Sequence, residues 1–265
     1  MPRAERREPT AWRTLVTPPL PGPENMALDE GLLARARRTG ESVFRVYTWS
    51  EPTLSLGRHQ RATGVYDPAR ARDLGVGIVR RITGGRALLH HREVTYSVTA
   101  PAFDGGSMRA SYAAINELLL HALQALGVPA TLAGPQGRTP PPASAPCFER
   151  PAAGEILLGG RKLVGSAQVR EDGALLQHGS ILVHDDQALI AQLAVRPVGS
   201  AVPAATLEEA LGRTPGPDEV AGALFAAIRQ LVTGGAAPLR LDDDVLADQR
   251  IALERYRSDG WTWRR

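Results

Sequence analysis

With 265 residues, 43% of them hydrophobic, the chain can bury a substantial core and falls within the range of one α/β or α+β domain. Its single cysteine excludes an internal disulfide framework and a cysteine-based structural zinc site, and fits a reducing cytoplasm. The formal charge of +3 makes the surface mildly basic, but basic residues are scattered and only 5% of residues are aromatic, so no stacking platform for nucleic acid is expected.

The N-terminal MPRAERREPTAWRTLV is charged and holds no apolar run of signal-peptide or membrane-spanning length, so a soluble, cytoplasmic protein without a membrane segment is expected. Trp12 to Thr17 reads as a short strand. Asn25 is a good N-cap for a helix whose Met26, Leu28, Leu32, Leu33 and Ala36 form an apolar face up to Gly40. Phe44 to Trp49 and Thr53 to Gly57 read as neighbouring strands joined by a tight turn at Glu51-Pro52. Asp67 to Leu74 is expected to be a short helix stopped by Gly75, and Val76 to Arg81 a strand. Ser111 to Gly127 carries the strongest helical stripe, including Ile115, Leu118, Leu119, Ala122 and Leu123. The Pro-rich GPQGRTPPPASAPC that follows cannot be regular structure and ends on Cys147. Strands are expected at Ile156 to Leu158, Leu163 to Val169 and Ala174 to Val183, with turns at Gly-Gly-Arg-Lys and Asp172-Gly173. Helices follow at Asp185 to Ala194, Thr206 to Leu211, Asp218 to Val232 and Asp242 to Tyr256, the acidic run Asp242, Asp243, Asp244 reading as a capped first turn rather than a metal site.

Two stretches carry chemistry. The first, Arg80 to Thr99 (RRITGGRALLHHREVTYSVT), sets Arg80, Arg81 and Arg86 about a Gly84-Gly85 pair, where the backbone can approach an anionic or carbonyl group; a plain hairpin turn is the alternative. His90 and His91 are adjacent, so on a strand they point to opposite faces and make a poor metal pair. The second stretch, 147–180, holds the only cysteine and the only lysine of the chain. A cysteine in isolation is more often a small buried hydrophobe and a lysine a solvated charge. Here Cys147 is also the best available nucleophile, and Lys162 is the one ammonium in a chain that otherwise uses arginine. Both lie close to the Gly165-Ser166-Ala167 and His178-Gly179-Ser180 turns.

These residues, with Asn25 to Glu30 (NMALDE), Ser55 to Arg58 (SLGR) and GRKLVGSAQVREDGALLQHGSI (160–181), resemble the lipoate/octanoate protein-ligase and transferase superfamily, which shares its fold with biotin protein ligases. The resemblance spans about residues 12 to 200. It implies a biotin/lipoate-protein-ligase-like α/β (α+β) fold of mixed β-sheets flanked by helices, in one domain, with a helical part from about 201 to 265. Cys147-Phe148 upstream of Glu155 is similar to the cysteine-dependent octanoyltransferases of the LipM type. That likeness implies transfer of octanoyl from octanoyl-acyl carrier protein, through a Cys147 thioester, to a lysine of a lipoyl domain such as glycine cleavage H protein, by a monomer that needs no cofactor.

The resemblance further implies that Lys162 holds the acyl carbonyl and that Gly84, Gly85 and Ala167 offer backbone amides to it. Arg81, Arg86, His90, Gly165, Ser166, His178 and Gly179 complete the substrate-binding set, with apolar side chains lining a tunnel for the acyl chain. The chain departs from the usual pattern where Ala152, Ala153 and Gly154 follow Pro151, and where His91 stands in place of an aspartate. Alternatives are an ATP-dependent lipoate ligase, which would share the fold and Lys162 but not depend on Cys147; an amidotransferase acting between lipoyl domains; and a non-enzymatic binding module.

Overall fold

The computed structural model describes residues 11–102, 107–134, 153–196 and 203–264. The first strand, β1 (Trp12–Val16), leads to helix α1 (Gly22–Thr39) and then to β2 (Ser42–Tyr47), which lies parallel to β1. Helix α1 starts nearly one turn before Asn25. Pro21 takes the extended N-cap position and Pro23 sits in the first turn, where a missing N–H costs nothing. Asn25 is instead buried, its amide donating to the carbonyls of Leu20 (3.0 Å) and Thr48 (3.2 Å). Gly40 ends the helix at φ 72° with its N–H on the Ala36 carbonyl, as expected.

The strand pair expected around Glu51-Pro52 does not form. Strand β3 (Thr53–Leu56) leaves β2 and becomes the middle of a small sheet, parallel to β4 (Gly77–Arg80) and antiparallel to β5 (Leu88–His90). Every residue of β2 and β3 is buried, so each is a central strand needing two neighbours, and β2 already has β1 and β6 (Glu93–Pro101). Between β3 and β4 runs α2 (Pro68–Asp73), capped by Asp67, whose Oδ1 accepts from the Ala69 N–H at 2.9 Å.

Helix α3 (Met108–Ala125) begins three residues before the expected Ser111, because Ser107 is the cap and accepts from the Ala110 N–H. Short β7 (Thr131–Leu132) and β8 (Ile156–Leu158) then precede the long hairpin of β9 (Arg161–Glu171) and β10 (Ala174–Leu182). Gly159 and Gly160 turn one corner and Asp172 and Gly173 the other, all four with positive φ, as two-residue hairpin turns demand. Of the helix expected over Asp185 to Ala194, only α4 (Leu189–Leu193) forms. Asp185 binds the N–H groups of Gln187 and Ala204, and Asp186 pairs with Arg92, so both carboxylates hold a turn instead.

The chain ends with α5 (Leu207–Leu211), α6 (Pro217–Leu231), the edge strand β11 (Ala236–Pro238), α7 (Asp243–Tyr256) and α8 (Asp259–Thr262). Asp242 caps α7 by accepting from the Val245 N–H at 2.9 Å, as expected; β11 was not expected and pairs parallel to β1. The large sheet runs β11-β1-β2-β6-β10-β9-β8-β7. Alternation along its strands sends Phe44, Tyr96, Val98 and Leu175 against α3 and α6, and Tyr47, Ala174 and Leu176 against α1 and α7. The expected fold class, mixed sheets flanked by helices, is borne out.

Between α1 and the large sheet lies a polar hub. Asp29, 1% exposed, accepts from Arg45 Nη1 (2.8 Å), Ser97 Oγ (2.7 Å) and Tyr47 Oη (2.9 Å), and Arg45 also donates to the Asn25 carbonyl and side chain and to Thr17. Burial raises the Asp29 carboxyl, but Arg45 and the surrounding donors outweigh it and hold it below the ordinary carboxylate range. Both partners of the ion pair are wholly enclosed, so removing one strands the other. Arg45→Met is expected to lower stability by about 3–5 kcal/mol, read from urea unfolding; a loss under about 1 kcal/mol would show that Asp29 is not held as a paired carboxylate.

Candidate active site

A narrow cavity lies between the two sheets. The small sheet contributes Ser55, Leu88 and His90, the large sheet Tyr47, Thr95, Gly165, Ala167 and His178, and α1 contributes Met26. Gly85 and Arg81 come from the segment between β4 and β5. Met26, Tyr47 and Trp49 line it at buried positions, while Gly85 is exposed and Ser166 and Ala167 half-buried at the mouth. An apolar floor beneath a backbone-rich mouth suits a slender hydrocarbon chain with a polar head.

The turn at the mouth is not a simple hairpin. Gly85 has φ 94°, and a Cβ there would lie 2.8 Å from Arg81 Nη2. Gly57 abuts the same turn, since a Cβ on it would lie 2.1 Å from the Gly85 carbonyl oxygen. Arg81 itself is buried; Nη1 donates to the Ser55 carbonyl and hydroxyl (2.9 Å each), and Nη2 to the carbonyls of Gly84 (3.0 Å) and Arg86 (2.7 Å). Arg80, which the sequence grouped with it, points elsewhere and donates to carbonyls of Gly57, Gln60 and Thr262.

Of the residues expected at the site, Arg81, Gly85, His90, Gly165, Ser166, Ala167, His178 and Gly179 line this cavity. Gly84 and Arg86 lie in the same turn and reach Arg81 through their carbonyls. Lys162, the second residue of β9, is buried with Nζ 2.7 Å from Glu155 Oε1 and is not among the residues lining the cavity. It stands three residues before Gly165 on the same strand. Cys147 and Phe148 lie outside the described residues. His91 is set apart from His90, paired with Asp186 at 3.0 Å.

Both cavity histidines are wedged between a carboxylate and a hydroxyl. His178 has Nδ1 3.2 Å from Asp29 Oδ2 and Nε2 2.7 Å from Thr83 Oγ1. His90 has Nδ1 2.8 Å from Glu93 Oε1 and Nε2 2.8 Å from Ser55 Oγ, and its ring stacks on Trp49 with centroids 4.0 Å apart. Trp49 is pinned in turn by Thr95 Oγ1 at 2.7 Å. Sequence reasoning missed Asp29, Ser55, Thr83 and Glu93. All four nevertheless lie within the stretches that carry the family resemblance, Asp29 in 25–30, Ser55 in 55–58, and Thr83 and Glu93 in 80–99.

Comparison with known proteins places this geometry. Residues 21–229 match the family described as the lipoyl protein ligase A/B catalytic domain. The chain belongs to that family. Octanoyltransferase LipM of Symbiobacterium thermophilum is 38% identical over 97% of this chain and 99% of its own length, and that of Kyrpidia tusciae 39% identical over 96% and 99%. Among solved structures, a bipartite lipoate protein ligase from Thermoplasma acidophilum, reported with its E2 lipoyl domain, superposes with a TM-score of 0.75 at 20% identity, covering 96% of both chains. A lipoate-protein ligase A bound with ATP superposes with a TM-score of 0.78 at 20% identity, covering 96% of this chain and 98% of its own. The family resemblance read from Arg80 to Thr99 and 160–181 is thus borne out, and the solved structures bear out the lipoate-ligase fold.

Burial pushes the His178 imidazole below its ordinary value of 6.5, although Asp29 pulls it the other way. Unfolded chains therefore take up a proton on this residue at a pH where the folded one does not, and folding loses stability as pH falls below about 6.5. His178→Gln is expected to flatten that loss. Urea midpoints compared at about pH 7.5 and about pH 5.5 check it, and an identical drop in both proteins would remove His178 from the account.

Proposed function

We propose that this chain is an octanoyltransferase of protein lipoylation that works through a Cys147 thioester. The observation that carries the reading is the near full-length likeness to two relatives named octanoyltransferase LipM. A mainly apolar cavity beside a glycine turn supports it.

In this reading the Cys147 thiolate attacks the carbonyl of octanoyl-acyl carrier protein. The bond to the carrier's sulfur breaks, and the carrier thiol leaves with a proton. The ε-amine of an acceptor lysine, on glycine cleavage H protein or another lipoyl domain, then attacks the octanoyl-enzyme. An amide forms and the Cys147 thiol is regenerated. Exchange between thioesters is nearly neutral in energy and the amide drives transfer forward, so no nucleotide is consumed. Lys162 stabilises the charge that develops on the acyl oxygen, with the Gly85 and Ala167 amides as further donors. Glu155 beside it balances the ammonium. The acyl chain fills the cavity, each methylene contributing about 0.8 kcal/mol. We place the reaction in the cytoplasm, carried out by a monomer; among the described residues no helix is long and apolar enough to cross a membrane.

Intact mass spectrometry after exposure to octanoyl-acyl carrier protein without ATP tests the relay. A hydroxylamine-labile octanoyl adduct is expected on the wild type and not on Cys147→Ser. Lys162→Met is expected to slow adduct formation by about 10²–10³-fold. ATP-dependent transfer of free octanoate or lipoate to an apo lipoyl domain by both wild type and Cys147→Ser, with no adduct, would replace this reading with ligation.

A further inference from the structure

Glu93, His90, Ser55 and Arg81 form an unbroken hydrogen-bonded line from the large sheet, across the small one, to the glycine turn. Its protons can be assigned. A guanidinium only donates, so Ser55 Oγ accepts from Arg81 Nη1 and its own hydrogen goes to His90 Nε2. With Nε2 accepting, the imidazole proton sits on Nδ1 and is donated to Glu93 Oε1. That oxygen also receives Trp49 Nε1 (3.1 Å) and the Thr95 hydroxyl, so the carboxylate is fixed from three sides.

A serine, histidine and carboxylate in this order resemble a hydrolytic triad. The surroundings argue against that role. Ser55 has no exposed surface, and the guanidinium occupies the oxygen that would have to attack. What the line does control is Arg81, and Arg81 Nη2 draws in the carbonyls on both sides of Gly85. In a trans peptide the N–H points opposite to the carbonyl. With the Gly84 carbonyl turned onto Arg81, the Gly85 N–H faces away from the guanidinium and its direction is set before any acyl group arrives.

We infer that Ser55, His90 and Glu93 are positioning residues, which orient Arg81 and through it the Gly85 amide that meets the acyl carbonyl. The kinetic side of this inference rests on the transferase reading above; the structural side does not, so the two can fail separately.

The test combines hydrogen exchange over residues 83–87 with single-turnover acylation of Cys147 by octanoyl-acyl carrier protein, in Ser55→Ala, Ser55→Thr and Glu93→Gln. Ser55→Ala is expected to exchange roughly tenfold faster in that segment. It should also acylate roughly tenfold more slowly at saturating donor, with the half-saturating donor concentration changed less than about twofold. These magnitudes correspond to loss of one buried charge-assisted hydrogen bond. Ser55→Thr, which keeps the hydroxyl, should restore both. Glu93→Gln, which keeps an accepting oxygen but not the charge, should raise exchange in the same segment by a smaller factor, and carries the test should Ser55→Ala not fold. Wild-type exchange over 83–87 in both Ser55→Ala and Glu93→Gln overturns the inference, as does an octanoyl ester recovered on Ser55. Faster exchange with unchanged acylation by Ser55→Ala overturns its catalytic half alone, whereas a wild type that forms no adduct refutes the transferase reading and leaves the exchange result to be judged by itself.

Discussion

A carboxylate taken out of water must be paid for by donors, and Asp29 gathers four: Arg45, Tyr47, Ser97 and His178. They come from β2, β6 and β10, while Asp29 itself rides on α1, so one buried charge ties the helix to three strands of the large sheet. Geometry at the cavity descends from this hub. His178 can face the cavity in one tautomer only because Asp29 holds its Nδ1, and Thr83 is anchored because the opposite nitrogen accepts.

The second carboxylate, Glu93, repeats the arrangement from the other side, through His90 and Ser55. Within the enclosed region stand two carboxylates, two guanidiniums and two imidazoles. Asp29 with Arg45 and Glu93 with Arg81 balance in charge, and a neutral His178 therefore fits the site without further compensation. Burial reinforces this at His178 by disfavouring its cationic form. The mouth of the cavity is thus framed by side chains whose protons are already allotted, which spares reorganisation when a substrate carbonyl arrives.

How much of this could be read from the chain depended on whether the signal was local. The Gly84-Gly85 pair, the hairpin turns at 159–160 and 172–173, and the caps at Asp67 and Asp242 are properties of a few adjacent residues, and the sequence displayed them. Partnership between strands is not local. Thr53 to Leu56 looks the same whether it follows β2 in one sheet or begins another, and only the neighbours on either side of β2 decide. The histidine relays were hidden for the same reason: Ser55 and His90 are 35 residues apart, and Asp29 and His178 are 149 apart. Asn25 misled because a residue that caps helices is equally able to bind carbonyls from inside one. Cys147 and Lys162 were conspicuous first by their rarity. Rarity identifies a residue worth attention but cannot give its surroundings, and the partner of Lys162, Glu155, emerged only from the fold.

The segment that carries Cys147 leaves and rejoins the sheet at one place. Ala133 and Glu155 lie side by side there, the Ala133 N–H donating to the Glu155 carbonyl and the Gly154 N–H to the Ala133 carbonyl. Asn116 of α3 grips the Gly154 carbonyl at 2.7 Å as well. Such a neck separates the register of the sheet from the length of whatever hangs on it. Each doubling of that length adds only about 0.6 kcal/mol of closure entropy. Pairing at this neck is thus fixed by Ala133, Gly154, Glu155 and Asn116 themselves and does not depend on how many residues the chain counts between 134 and 153.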